Sequence, residues 1–457
     1  MSESIGNSGT GMKLHTKILI GLLIGAVLGI SVNTMLGGDS PLVANVNKYV
    51  AGPAGQIFLR MLFMIVIPLV FSSISLGVAG LGDLKRVGRV GGKAIGYFLA
   101  STALAATLGL VIVSIVRPGE RIPEATRTEL MATYATDASS KVEAAATSDF
   151  GIQTLVNIVP RNPVKSAADL DMLGIIFFGI IFGAALTMIA AEKAKPMLAV
   201  LEAINDAVIK IVEMAMRLAP YGVAALIFGV TSRFGFDVLR LLGWYVAVVL
   251  GALLLHVTVN LSLVIRFLIG MSPMKFFGRI RSALVTAFST SSSSATLPTA
   301  LATAEENLGI PKQIAGFVLP LGSTMCMNGT ALFEGITVIT LAQAFGVELG
   351  FGQMIAVMVM SVITAVGAAG VPGGSIPLLV GVLTMFGVPA EGIAIVLGVD
   401  RILDMSRTTV NVCGDLTATA WVAKAEGVWN ASMVPTTVGG MEGGKLDESP
   451  NWPKPQV

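Results

Sequence analysis

The sequence predicts an all-α membrane protein whose later helices are broken around a central polar site. Three observations point there. Of 457 residues, 54% are hydrophobic and 13% charged, and the mean hydropathy is +0.81, whereas soluble globular chains carry about 25% charged residues. Apolar runs of bilayer-spanning length recur along the chain, and in hydrocarbon such runs must be helices because every backbone N–H and C=O needs an internal partner. After residue 270 the apolar segments are interrupted by polar and glycine-rich stretches. A net charge of +2 leaves no nucleic-acid footprint, and two histidines, His15 and His256, exclude a histidine metal cluster. Cys326 and Cys413 sit in apolar segments and read as small buried residues rather than a disulfide or metal pair,.

Residues 1–14, rich in Ser and Gly, read as a disordered lead. The first apolar run, from near Ile18, lacks a small-residue cleavage site and reads as a first membrane helix rather than a signal peptide,. Spans follow near 18–36, 58–81, 94–116, 172–191, 203–230 and 240–269, with a polar loop at 117–171 and a polar tail at 431–457. Lys85, Arg86, Arg89 and Lys93, then Lys193 and Lys195, then Lys275, Arg279 and Arg281 fall on one side if the spans alternate. That side is cytoplasmic by the positive-inside rule, with the N-terminus, and the long loop faces outward. The expected location is the cell inner membrane, multi-pass, with both termini cytoplasmic.

Beyond residue 270, segment 316–346 is interrupted at Ser323-Thr324 and Asn328-Gly329, and segment 353–386 at Gly370-Val371-Pro372-Gly373-Gly374. Non-helical backbone at membrane depth is tolerated only inside protein or beside an aqueous cavity. Paired half-helices around a midplane site are the mark of a secondary transporter with internal repeats. A kinked helical bundle without such a site is the alternative.

The last helix carries the chemistry. On a wheel of 3.6 residues per turn, Asp404, Arg407, Thr408, Asn411 and Asp415 share one face, with Arg401 at its edge,. Charges at this depth are costly unless paired or beside a wet cavity. Asp404 is suited to a substrate ammonium and Arg407 to a carboxylate, through two parallel hydrogen bonds that lysine cannot copy. Thr408 and Asn411 are suited to the remaining polar groups. Asp415, about two turns beyond Arg407, is free for a separate cation. Internal Asp404–Arg407 and Arg401–Asp415 pairing is the competing reading. The serine run 290–294 makes a tip whose N–H groups and hydroxyls suit a carboxylate. It lacks a nearby histidine and a Gly-x-Ser-x-Gly elbow, so it does not read as a hydrolase nucleophile. Segment 324–330 offers carbonyls for a hard cation, and segment 367–374 a second tip suited to gating.

These motifs, in this order and over nearly the whole chain to about Lys424, resemble the glutamate transporter family, the dicarboxylate/amino acid:cation symporters, of the prokaryotic sodium/aspartate or glutamate type. The resemblance implies eight transmembrane helices plus two re-entrant hairpins, near 274–309 and 350–388, in inverted repeats. It implies a single transporter unit over 15–430 and a homotrimer in which scaffold helices one, two, four and five stay fixed. Helices three, six, seven and eight and both hairpins then move as an elevator. It places substrate at Ser292, Ser293, Thr330, Asp404, Arg407, Thr408 and Asn411, under the tip Gly370, Val371, Pro372 and Gly373. One sodium falls to Asp415 with carbonyls of Gly322, Cys326 and Asn411, and a second to carbonyls of Thr324, Ala365, Val366 and Ala368. A third site falls at Ser101, Thr102 and Asn328, where this chain lacks the aspartate, and so the negative charge, that many members carry at the last position. Members often carry an arginine at the position of Ser291 or Met405, and Arg401 is the candidate substitute. Glu334 is a candidate proton carrier, with a structural glutamate as the alternative. No other cofactor is implied; the partners are an acidic amino acid and lipid. Sodium-coupled import of aspartate or glutamate is the expected function. Proton-coupled uptake of these or of C4-dicarboxylates, and an anion channel, are the alternatives.

Overall fold

The computed structural model describes residues 14–87, 89–121, 123, 128, 159–168, 172–368, 370, 372–389 and 392–434. The lead to residue 13, most of the 117–171 loop, Val371 and the tail from 435 lie outside the described residues. The described residues contain helices and no strand. The helices are α1 (Leu14–Leu36), α2 (Pro41–Val46), α3 (Gly52–Phe63), α4 (Val66–Val87), α5 (Arg89–Val116), α6 (Pro163–Ala168), α7 (Met172–Met188), α8 (Ala191–Phe234) and α9 (Asp237–Leu255). Then come α10 (Pro273–Thr290), α11 (Ser293–Ala302), α12 (Lys312–Met325), α13 (Asn328–Ala344), α14 (Phe351–Gly367), α15 (Ile376–Met385) and α16 (Ile393–Ala425). Six helical stretches among the described residues are long and apolar enough to cross a membrane, so the chain is a multi-pass membrane protein.

The expected second span is two helices, α3 and α4, parted at Met64 and Ile65. Pro68 follows in the first turn of α4, where its missing N–H falls among donors that have no helical partner anyway. α9 runs on through two wide turns, His256–Leu261 and Val264–Ile269, to Gly270. α8 is one helix of 44 residues, roughly 66 Å at 1.5 Å per residue, about twice the bilayer core. α1 packs parallel to its C-terminal half through small residues. A Cβ placed on Gly21 would lie 2.3 Å from the carbonyl oxygen of Pro220, and one on Gly25 2.3 Å from that of Ala224. Only glycine allows that approach, the small-residue packing that membranes favour. Asn33 Nδ2 closes the pair by donating to the carbonyls of Ser232 and Arg233, at 3.0 and 2.9 Å.

The second half of the chain is built from interrupted helices, with shorter breaks than the composition suggests. α10 and α11 meet at a two-residue tip: Ser291 is left-handed, with φ 52°, and Ser292 caps α11 by accepting from the N–H of Ala295 at 3.1 Å. The remaining serines lie inside the first turn of α11, because a serine that caps a helix starts it at the next residue. α12 and α13 are parted only at Cys326 and Met327, so Ser323-Thr324 and Asn328-Gly329 are helical on either side. α14 and α15 are parted over 368–375. The two tips touch: Ser292 Oγ and the N–H of Ser294 both donate to the carbonyl of Gly370, at 2.6 and 3.2 Å. One apolar cluster joins α1, α3, α4, α7, α8 and α9 with α13, α15 and the start of α16; a second joins α5, the end of α9, α10 to α12 and the end of α16. α13 is buried over nearly its whole length and lies against α16.

Candidate functional site

α16 brings the charges to one place. Asp400, Arg401, Asp404, Arg407, Thr408, Asn411 and Asp415 are each 7% exposed or less. Arg407 is the hub. Its Nη1 donates to Asp400 Oδ1 at 3.0 Å, and its Nε and Nη2 to Asp404 Oδ1 at 3.1 and 2.9 Å. The guanidinium lies over the Phe333 ring at 4.2 Å, a cation–π contact strengthened by burial. Asp404 Oδ2 accepts from Arg401 Nη1 at 3.4 Å and from the N–H of Gly373 at 3.1 Å. Asp404 and Arg407 therefore pair with each other as well as facing the cavity. Arg401 pairs with Asp404 and not with Asp415, which is 14 residues and roughly 21 Å further along the helix. Asp400, two turns before Arg407 and at almost the same wheel angle, joins the cluster in addition to the residues expected from the sequence,.

Both tips, the α12–α13 break and α16 enclose a cavity of about 20 Å³, room for about one water. Of the expected residues, Ser293, Thr330, Gly370, Asp404, Arg407, Thr408 and Asn411 reach it. Ser292 is committed instead to capping α11 and to Gly370, and Pro372 and Gly373 stand in the tip beside it. Ser291, Met327 and Ser375 line the cavity unexpectedly, and Ala368, expected at the second sodium, lines it as well. The hydroxyls of Ser291 and Ser375 are buried and have no hydrogen-bond partner among the described residues. Buried polar atoms are nearly always bonded, so these two are available to something that enters. Asn411 holds the break together. Its Oδ1 accepts from the N–H groups of Gly329 and Thr330, at 2.7 and 3.4 Å, and its Nδ2 donates to Thr330 Oγ1 at 3.0 Å. The orphan donors at the start of α13 thus receive a cap from another helix.

Asp415 lies apart from the Arg407 hub, roughly 12 Å along α16. Its Oδ1 is buried without a hydrogen-bond partner among the described residues. A Cβ on Gly322 would lie 2.8 Å from it, so the carboxylate faces the last turn of α12, beside Cys326. Cys326 and Cys413 are buried free thiols. Ala365, Val366 and Ala368 form the end of α14, and Thr324, which is exposed, the end of α12. A Cβ on Gly370 would lie 3.0 Å from the carbonyl oxygen of Ser323, so both C-terminal ends approach tip two. Helix C-termini carry partial negative charge.

Ser101, Thr102 and Asn328 form a neutral buried set. Thr102 Oγ1 donates to Asn328 Oδ1 at 2.9 Å, and Asn328 Nδ2 donates to Ser101 Oγ at 2.8 Å. His256 Nε2 lies 3.5 Å from the same amide nitrogen. Glu334, beside Phe333 on α13, is fully buried; its Oε2 accepts from Thr364 Oγ1 at 2.6 Å, and its Oε1 has no partner among the described residues.

The chain is 36% identical to the proton/sodium-glutamate symport protein of Bacillus subtilis over 93% of its length and 95% of that protein's. It is 36% identical to the proton/glutamate-aspartate symporter of Escherichia coli, over 90% of this chain and 93% of that one. With human excitatory amino acid transporter 3 the identity is 33%, over 89% and 85%. The family model described as the sodium:dicarboxylate symporter family matches residues 14–425. That match takes in every element from α1 to α16, and the chain belongs to this family of membrane carriers, whose members are transporters and not enzymes.

Proposed function

We propose that this chain is a secondary symporter that carries aspartate or glutamate inward together with sodium. The observation that carries the reading is the buried Asp404–Arg407 pair facing a cavity closed by two serine- and glycine-rich tips. Arg407 has the two-pronged geometry for a side-chain carboxylate and Asp404 the charge for an α-ammonium. The cavity is too small for an amino acid, so admission requires tip two to lift and Arg407 to exchange a protein carboxylate for that of the substrate. The named activities of the relatives, glutamate and aspartate symport, support the same substrate class.

Charge balance supports coupling to two cations. Asp400, Arg401, Asp404 and Arg407 sum to zero. With Glu334 counted as the neutral acid, Asp415 adds one negative charge and a monoanionic substrate a second; two monovalent cations restore neutrality in a place where net charge is expensive. Asp415 with the carbonyls of Gly322, Cys326 and Asn411 suits one, and the ends of α12 and α14 the other. The Ser101–Thr102–Asn328 set has no charge and is bonded within itself, so the reading assigns it no ion. We place the chain in eight membrane helices and two re-entrant hairpins, as a homotrimer in which α5, α9, α12–α13, α16 and the hairpins α10–α11 and α14–α15 slide against α1, α3, α4, α7 and α8. The exposed apolar stripe Met197, Val200, Ile204, Met214 and Leu218 on α8 suits contact between copies.

Proton coupling is the second reading, favoured by Glu334, a fully buried carboxyl with one oxygen unbonded among the described residues. Uptake of labelled aspartate into proteoliposomes, under an imposed sodium gradient and separately an imposed proton gradient, decides. Sodium-driven accumulation is expected; accumulation with protons alone would replace sodium by Glu334 chemistry, and flux without accumulation would indicate a channel. Asp415→Asn should raise the sodium concentration for half-maximal uptake about tenfold or more, since a unit charge a few Å from the ion is worth about 1–4 kcal/mol. An unchanged sodium requirement would remove Asp415 from the site.

A further inference from the structure

Outside the transport cavity, α1 and α8 enclose a groove of about 570 Å³. One end carries Lys17 and Arg217, and Tyr221 stands at its rim; the floor is Ile20, Ile24 and Ala224. The parallel packing sets the level of these groups. Gly21 lies on Pro220 and Gly25 on Ala224. Lys17, four residues before Gly21, and Arg217, three before Pro220, therefore stand side by side, within about 2 Å of the same height.

That height is a boundary. Beyond it the exposed face of α1 is apolar, at Leu23, Ile24, Val27 and Leu28. Before it α8 carries Glu202, Asp206, Lys210 and Glu213, all exposed, on the same stretch as the apolar stripe Met197, Val200, Ile204 and Met214 assigned to contact between copies. Two cations thus sit where hydrocarbon gives way to headgroups, and Tyr221, 74% exposed, has the amphipathic ring that favours this depth. Neither Lys17 nor Arg217 is in an ion pair among the described residues. Glu213, one turn from Arg217, is bound by Lys210 at 2.9 Å. Among the described residues no carboxylate lines the groove. Two neighbouring positive charges at a low-dielectric edge attract a counter-anion, and an apolar channel running from them selects one with a hydrocarbon tail.

We propose that this groove holds one anionic phospholipid, its phosphate between Lys17 and Arg217 and an acyl chain along Ile20, Ile24 and Ala224. The guanidinium can take two phosphate oxygens at once. The site rests on the membrane placement of α1 and α8, and is independent of which solute or ion the carrier moves.

The test is native mass spectrometry of the full chain in neutral detergent, with phosphatidylglycerol or phosphatidylcholine added. The parent should retain phosphatidylglycerol in preference. At about 1 kcal/mol per cation, Lys17→Gln with Arg217→Gln should weaken that retention about 30-fold. Arg217→Lys should keep most of it, and Ile24→Trp should lose it with both charges intact. Aspartate uptake in phosphatidylcholine vesicles should be the same for parent and double variant, which shows the latter is folded. Equal retention of the two lipids by the parent would overturn the proposal. So would unchanged phosphatidylglycerol retention in the double variant, or a change in oligomer mass, which would make the groove a contact between copies.

Discussion

Two span-length stretches of this molecule invert the rule that governs soluble proteins. In Thr16–Leu36, only 28% of the most apolar window is buried; in Lys312–Ala344, which is less apolar, 100% is. A helix in water hides its apolar face. Here the more apolar helix is the more exposed, because lipid tails solvate leucine as well as a protein core does. The polar groups need the cover: Asn328, Thr330, Glu334, Thr337 and Thr340 on α13 are all buried. Between these two stretches burial follows polarity, and the energetically sensitive residues lie in the one of lower hydropathy.

The largest effect that would break this contrast is expected at Arg407. Arg407→Thr strands Asp400 as a buried carboxylate and leaves Asp404 only Arg401 and the N–H of Gly373, which should cost about 3–5 kcal/mol of stability. It should weaken aspartate and glutamate recognition by at least ~100-fold, as removal of one partner from a buried charge pair does. Thermal unfolding and competition uptake measure the two, and Asp400→Asn in the same background should restore part of the stability but not the recognition. Retained aspartate affinity would count against the assigned role.

The exposed helix sharpens the contrast from the other side. Gly21→Val forces α1 off Pro220 and should destabilise by about 1–3 kcal/mol, whereas Leu23→Ala on the outward face should stay within about 0.5 kcal/mol. Melting both variants in one lipid compares them directly. The smallest effect lies just past the end of α16. Glu426 is bonded by Lys93 at 2.8 Å and Arg89 at 3.1 Å. Burial pushes its carboxyl upward, but the hydrogen bonds from Lys93 and Arg89 outweigh that and hold it below the ordinary value. A depressed carboxyl stabilises the fold above its unfolded value of about 4.3 and ceases to as pH falls through the lower folded one. Glu426→Gln should therefore melt below the parent at pH 7, by less than about 1 kcal/mol since Arg89 is largely in solvent. The gap should close below about pH 4.

Much of this architecture is legible in the sequence, for physical reasons. Serine runs and Gly-Pro clusters cannot sit in a bilayer helix without a purpose, and they mark both tips and the α12–α13 break to within a few residues. The wheel of α16 places Arg407, Asp404 and Asp415 correctly because a helix fixes angles from sequence alone. Contacts between distant helices are not so fixed. Phe333 beneath Arg407, Asn411 capping α13, and His256 beside Asn328 each join helices whose relative depth no local pattern sets. Asp400 was readable from its angle. Ser375 was not, since nothing local aims its hydroxyl at the cavity.

The shared carbonyl of Gly370 turns two loops into one seam. Ser292 and Ser294 hold it from one side, while Gly373, three residues on, is pinned to Asp404. Such a seam parts all at once, because freeing tip two breaks all three bonds together. At about 1 kcal/mol each, the spontaneously parted fraction is on the order of 1%. For a carrier gated at this tip, as proposed, leakage of water or stray ions through this face is expected only in those rare moments, and a solute that supplies replacement partners for the same groups should lengthen them.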